Sequence, residues 1–181
     1  MNIKFQETGI DGCWLVELEL KSDLRGRFVK NFRRDLFMER GLEANFVEDF
    51  YSVSNKNVLR GMHFQSPPHH HTKLVSCIYG NVYDVIYDLR ETSPTYLKHA
   101  SFRLCEDKPL LLYIAPGVAH GFYTLSEKAM VTYKTSTYHS PKNDMGFLWS
   151  SAGIAWPGRS PIISERDSKF PDIDNIGTFE W

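Results

Sequence analysis

The sequence predicts an all-β fold, a sandwich or barrel of jelly-roll type with a few short peripheral helices. Short runs rich in β-branched and aromatic residues alternate with period two, and Gly, Pro, Asn or Asp separate them at near-regular spacing. Helical periodicity is scarce before the C-terminal segment. An aromatic content of 14% also suits a β-rich fold that binds ring-shaped ligands.

Taken in order, residues 13–20 alternate charged with apolar side chains and read as a strand. A short helix is expected around residues 35–40, closed by Gly41. Residues 48–54 form the next strand. Residues 73–79 and 82–89 flank Gly80-Asn81, a pair suited to a two-residue hairpin turn. Residues 110–115 run into Pro116-Gly117, and residues 130–137 follow a polar turn at 126–128. Ser164 to Asp167 suits the start of a helical turn. Beyond about residue 168 the chain is expected to be loosely held, as termini often are. The whole length, 1–181, reads as a single domain with a real core.

Charge and composition exclude several classes. A net charge of −1 without a long charge run gives no footprint for a nucleic-acid or membrane-surface binder. No apolar run reaches the roughly 18 residues of a membrane span, and the opening MNIKFQETGI lacks the pattern of a signal peptide. Cys13, Cys77 and Cys105 are odd in number and lack metal-ligand spacing, so free thiols in a reducing, cytoplasmic compartment are expected.

The chemistry concentrates in residues 58–73, VLRGMHFQSPPHHHTK. Arg60 offers a planar fork suited to a diphosphate. His63 is a proton acceptor near neutrality. In a regular strand these two would face opposite ways, so a shared site requires a bulge, which Gly61 permits. On its strand Lys73 shares a face with Val75, Cys77 and Tyr79. It is either a strand-end lysine reaching for water or a cation held where an enolate oxygen develops charge. Tyr133 is either an ordinary sheet tyrosine or a proton donor whose pKa is lowered by nearby cations. Asp167 either closes a capping box with Ser164 or fixes the tautomer of His63.

Asn57-Val58-Leu59-Arg60-Gly61-Met62-His63-Phe64-Gln65, Lys73-Leu74-Val75, Gly80-x-Val82-x-Asp84-Val85 and Asp88-Leu89-Arg90-x-x-Ser93-Pro94-Thr95 resemble the dTDP-4-dehydrorhamnose 3,5-epimerase family. So do Asp23-x-Arg25-Gly26-x-Phe28, Pro116-Gly117-x-Ala119-His120-Gly121-Phe122, Tyr133-Lys134, Trp156-Pro157 and Ser164-x-x-Asp167, all in collinear order. The resemblance implies a cupin-type jelly roll, a homodimer, a nucleotide-diphosphate-sugar substrate and no metal or organic cofactor. It makes His63 the base, Tyr133 the acid, Lys73 the enolate stabiliser and Asp167 the partner of His63. Arg25 and Arg60 would serve the diphosphate and His120 the sugar pocket, with Phe28, Gln65 and Tyr138 carried over as further substrate contacts.

Several positions depart from the family pattern. Lys30 stands where a glutamate is usual, and Glu48 and Phe50 replace a Gln-x-Asn pair. His139 replaces a second tyrosine after Tyr138, Asp144 a glutamate and Arg166 a lysine. These positions bear on the nucleotide more than on the reacting carbons, so a cytidine or guanosine carrier and a C3-only reaction stay open beside the dTDP-linked double epimerisation. Two further readings remain. His69, His71 and His120 partly imitate a metal cupin, although Lys73 stands near the place of the acidic ligand. A non-catalytic sugar-nucleotide binder would keep the fold without needing an acid and a base together.

Overall fold

A computed structural model describes residues 3–181. Its strands are β1 (Lys4–Glu7), β2 (Trp14–Glu17), β3 (Leu20–Asp23), β4 (Gly26–Val29), β5 (Glu48–Asn55), β6 (Leu59–Gln65) and β7 (Lys73–Tyr79). They continue as β8 (Asn81–Asp88), β9 (His99–Cys105), β10 (Leu110–Ile114), β11 (Val118–Thr124), β12 (Lys128–Thr135) and β13 (Asp144–Gly146). One short helix, α1 (Arg34–Met38), precedes β5, and 3-10 turns occupy Asp167–Lys169 and Ile173–Asn175.

Two antiparallel sheets face each other, in the orders β1-β2-β10-β7-β12-β5 and β13-β6-β11-β8-β9; β3 and β4 form a separate hairpin. This is the expected all-β jelly roll. Residues alternating inward fill the space between the sheets: Val75, Cys77, Leu112, Ile114 and Val131 from one side, and Val82, Ile86, Leu104 and Phe122 from the other. Outside the larger sheet, Phe37 of α1 packs with Leu74, Leu111 and Tyr113. Gly41, at φ +71°, follows that helix as expected.

Two expectations are corrected. Gly80-Asn81 is no hairpin turn, because β7 pairs with β10 and β12 while β8 pairs with β11 and β9. The chain changes sheets there. A Cβ on Gly80 would meet the carbonyl oxygen of Lys128 at 2.1 Å, and its φ is +75°, so the bend requires glycine for space and for conformation. The C-terminal segment is also not loosely held. Ile173, Ile176, Phe179 and Trp181 cover Phe64, Tyr87 and Leu89 on the outer face of the smaller sheet, and the Trp181 indole donates to the Leu89 carbonyl at 3.1 Å. The tail is the lid of a second apolar layer.

The strand expected at residues 13–20 divides into β2 and the start of the β3–β4 hairpin. No helix among the described residues is long and apolar enough to cross a membrane.

Candidate active site

At one end of the sandwich the inward-facing residues turn from apolar to polar. Along β7 the inner face runs Cys77, Val75, Lys73, and opposite it β12 runs Val131, Tyr133, Thr135. A cleft of about 820 Å³ opens there, walled by both sheets.

The smaller sheet contributes Arg60, His63 and His120. Arg60 faces Phe122 and His63 faces His120 across β6 and β11, so two residues of β6, Gly61 and Met62, lie opposite the single Gly121 of β11. The register shift lies opposite Gly61, whose φ is +135° and whose Cβ would stand 2.5 Å from the Gly121 Cα. The bulge required to bring Arg60 and His63 into one site is therefore present, where two glycines let the backbones touch.

His63 Nε2–H donates to Asp167 Oδ1 at 2.9 Å. Asp167 Oδ2 accepts from the Gly61 amide at 3.2 Å, and the Asp167 amide donates to Ser164 Oγ at 3.0 Å. Of the capping box only half is made, the Ser164 hydroxyl accepting from the Asp167 amide, while the Asp167 carboxylate serves His63 and Gly61 instead. Burial pushes its carboxyl pKa up, but His63 and these hydrogen bonds outweigh burial and hold it below the ordinary value. The carboxylate fixes the imidazole with its lone pair on Nδ1.

Lys73 enters from β7, and its ammonium donates to the His63 carbonyl oxygen at 3.3 Å. Burial pulls its pKa down to about 8, against the attraction of Asp144 and Asp84. It does not snorkel to open water. Tyr133 departs from expectation in the opposite sense. Burial pushes its phenol above the ordinary value, and the opposing pulls of Ser52 and Arg60 are smaller. The sequence shows the cations but not the burial. The consequence suits a proton donor, since the phenol keeps its proton at neutral pH.

His120 Nε2–H donates to Asp84 Oδ2 at 2.8 Å, with Asp84 fully buried between Val82 and Ile86 on β8. Burial raises the Asp84 pKa, opposed by His120 and Lys73. Asp84 is the one functional side chain that the reading of single residues missed. A carboxylate inside an apolar strand run was its signal, because such a group must find a partner.

At the outer end of the cleft Asp144 accepts from His139 Nε2 at 3.1 Å and pairs with Arg166 at 2.9 Å. Glu48 Oε2 accepts from the His139 amide at 3.1 Å. Gln65 lies in the wall, but its amide is engaged with the His69 carbonyl, His71 Nδ1 and the Ser140 amide, so it braces the loops around the cleft. Phe50 stacks on Tyr133. Tyr138 does not line the cleft; the residue is 68% exposed, and its carbonyl accepts from Gln65. Arg25, Phe28 and Lys30 lie on or beside the β3–β4 hairpin and outside the cleft.

The metal-cupin reading finds no support in the side-chain arrangement. Among the described residues no group of three or more His, Cys, Asp or Glu could hold an ion. His120 is engaged by Asp84 and His71 by Gln65. Burial and the neighbouring Lys73 depress the His71 pKa to about 3.

The sequence profile of the dTDP-4-dehydrorhamnose 3,5-epimerases matches residues 7–175. A curated dTDP-4-dehydrorhamnose 3,5-epimerase of Methanothermobacter thermautotrophicus is 40% identical over 175 residues, covering 94% of each chain. One of Shigella flexneri is 39% identical, covering 93% of this chain and 96% of that one. Among solved structures, dTDP-6-deoxy-D-glucose-3,5-epimerase of Legionella pneumophila in complex with dTDP-4-keto-L-rhamnose superposes with a TM-score of 0.93 at 31% identity, covering 99% of this chain and 100% of that one.

Proposed function

The chain belongs to the dTDP-4-dehydrorhamnose 3,5-epimerase family, and from that premise we propose how its own residues divide the work. The protein is an isomerase of deoxysugar biosynthesis, epimerising C3 and C5 of a nucleotide-diphosphate-4-keto-6-deoxyhexose of the dTDP-4-dehydro-6-deoxyglucose type.

The observation that carries the division of roles is that His63 and Tyr133 stand on opposite sheets, with Lys73 on the cleft wall one inward-facing position along from Tyr133. The C4 ketone acidifies the hydrogens at C3 and C5. His63 Nδ1 takes one of them, the C–H electron pair becomes a carbon–carbon double bond, and charge moves to O4. The Lys73 ammonium meets that charge in a site of low dielectric. Tyr133 then returns a proton to the carbon from the opposite face, which inverts it. Before the second carbon reacts, His63 gives up its proton to solvent and the phenolate regains one, which resets both groups. Arg60 holds the diphosphate and His120, oriented by Asp84, the sugar. Neither a metal nor an organic cofactor is needed for these steps.

The hairpin residues find their use in a second copy. Leu24 is 108% exposed and Phe28 62%, at the end and side of a two-stranded arm. This supports a homodimer in which Arg25, Phe28 and Lys30 reach the nucleotide end of the partner's cleft. On this reading the chain is one cupin-like epimerase domain working in the cytoplasm.

Proton NMR in deuterated water, with 4-keto-6-deoxyglucose on thymidine, cytidine and guanosine diphosphates in turn, tests the proposal. Deuterium should enter at C3 and C5, fastest with the thymidine donor. Entry at C3 alone would replace the double epimerase by a monoepimerase. A faster cytidine or guanosine donor would trace to Lys30, Glu48 and His139. His63→Ala should abolish exchange at both carbons while nucleotide affinity stays within about threefold.

A further inference from the structure

Phe50 stands directly opposite Tyr133 on the neighbouring strand. The two rings lie 4.9 Å apart and 13° from parallel. His120 presents a second aromatic contact to the same phenol, at 6.1 Å and 72°. The Tyr133 ring is thus gripped by one face-on and one edge-on neighbour, the two geometries that aromatic pairs favour. Phe50 sits on β5, the edge strand of its sheet, is 48% exposed and forms part of the cleft wall.

Protonating an enolate carbon requires the O–H to approach perpendicular to the plane of the double bond. C3 and C5 flank C4, and one phenol must serve both in turn. The tilt of its ring therefore decides which carbon lies within reach, and a displacement of about 1 Å is enough to cost about a hundredfold in rate.

We infer that Phe50 is a positioning residue acting through Tyr133: it holds the phenol at the angle that serves both carbons, and so sets how completely the second one is inverted. The inference rests on the epimerase reading above. It assigns Phe50 a task distinct from binding the nucleotide.

The test compares wild type, Phe50→Leu and Phe50→Tyr by deuterium incorporation at each carbon, with kcat and KM measured separately. Phe50→Leu removes the ring but keeps an apolar side chain on a half-exposed edge, and thermal melts check that the fold is kept. It should lower kcat about tenfold with KM within about twofold, and change the C5-to-C3 incorporation ratio by about threefold or more. Phe50→Tyr, which retains a stacking ring, should restore the wild-type ratio. A raised KM with kcat and the ratio unchanged would make Phe50 a substrate contact and overturn the inference; so would a Leu variant indistinguishable from wild type. A wild type that exchanges neither carbon would instead refute the epimerase reading on which the inference depends.

Discussion

Burying the Lys73 ammonium, opposite Ile114 and Thr135 on the adjoining strands, costs folding free energy wherever the group stays protonated. Its pKa in the fold is about 8, below the ordinary 10.5. Below pH 8 the folded and unfolded chains both hold the proton and the penalty is full. Between these values the folded chain sheds the proton first, so stability rises with pH. Lys73→Met should therefore raise stability at pH 7 by about 1–3 kcal/mol, a shift of a few degrees in the melting temperature. The gain should shrink above pH 8, while kcat falls about a hundred- to a thousandfold. Melts at pH 7 and 10 beside exchange assays would check both. The wild-type kcat should decline as pH rises through about 8, as the ammonium is lost. Asp167→Asn should lower kcat by about a hundredfold or more by freeing the His63 tautomer, with nucleotide affinity nearly unchanged by calorimetry. His63 and Asp167 are 104 positions apart in sequence, and no local pattern joins them. Residue type and family resemblance named both, whereas the burial that raises Tyr133 and encloses Asp84 is a property of the packed sheets.

At the level of strands, the catalytic geometry depends on Gly61 and Gly121 facing each other across β6 and β11. A Cβ on Gly121 would come within 2.7 Å of Met62 Sδ and 2.9 Å of the Arg60 carbonyl oxygen. Gly121→Ala should destabilise the fold by about 2–3 kcal/mol in denaturant titration and turn Arg60 and His63 out of register, with kcat falling more than the melt alone explains. Strands β5, β7, β10 and β12 were legible because each carries a clean run bounded by turn residues. Strand β9 was not read, although His99, Ser101 and Arg103 point outward in alternation with Ala100, Phe102 and Leu104 inward, and β13 is only three residues long. The supposed turn at Gly80-Asn81 shows the limit of local chemistry: a glycine with positive φ marks a bend, but tertiary pairing decides whether the bend joins partners. The tail was misjudged for a related reason, because what holds it is the outer face of a distant sheet. Trp181→Ala should lower stability by about 2 kcal/mol in thermal or chemical melts.

For the whole molecule, the β3–β4 arm predicts that the working unit is larger than one chain. Sedimentation should give the mass of two copies, and Phe28→Ala should raise KM about five- to tenfold with kcat little changed. An unaltered KM would leave the arm without a role at the nucleotide. The sheet topology also has a consequence for how the enzyme comes into being. Strand β5 has β12 as its one sheet neighbour, with Glu48 facing Thr135 across 87 positions of sequence. At about 5–20 residues per second, β5 leaves the ribosome roughly 4–17 s before its neighbour exists. Strand β6 likewise waits for β11, and His63 waits longer still for Asp167. The nascent chain therefore carries open, apolar strand edges for seconds. Folding of this non-local kind is expected on the millisecond-to-second scale once the last strands arrive. Catalytic competence is thus acquired in one late step, after nearly the whole chain has emerged.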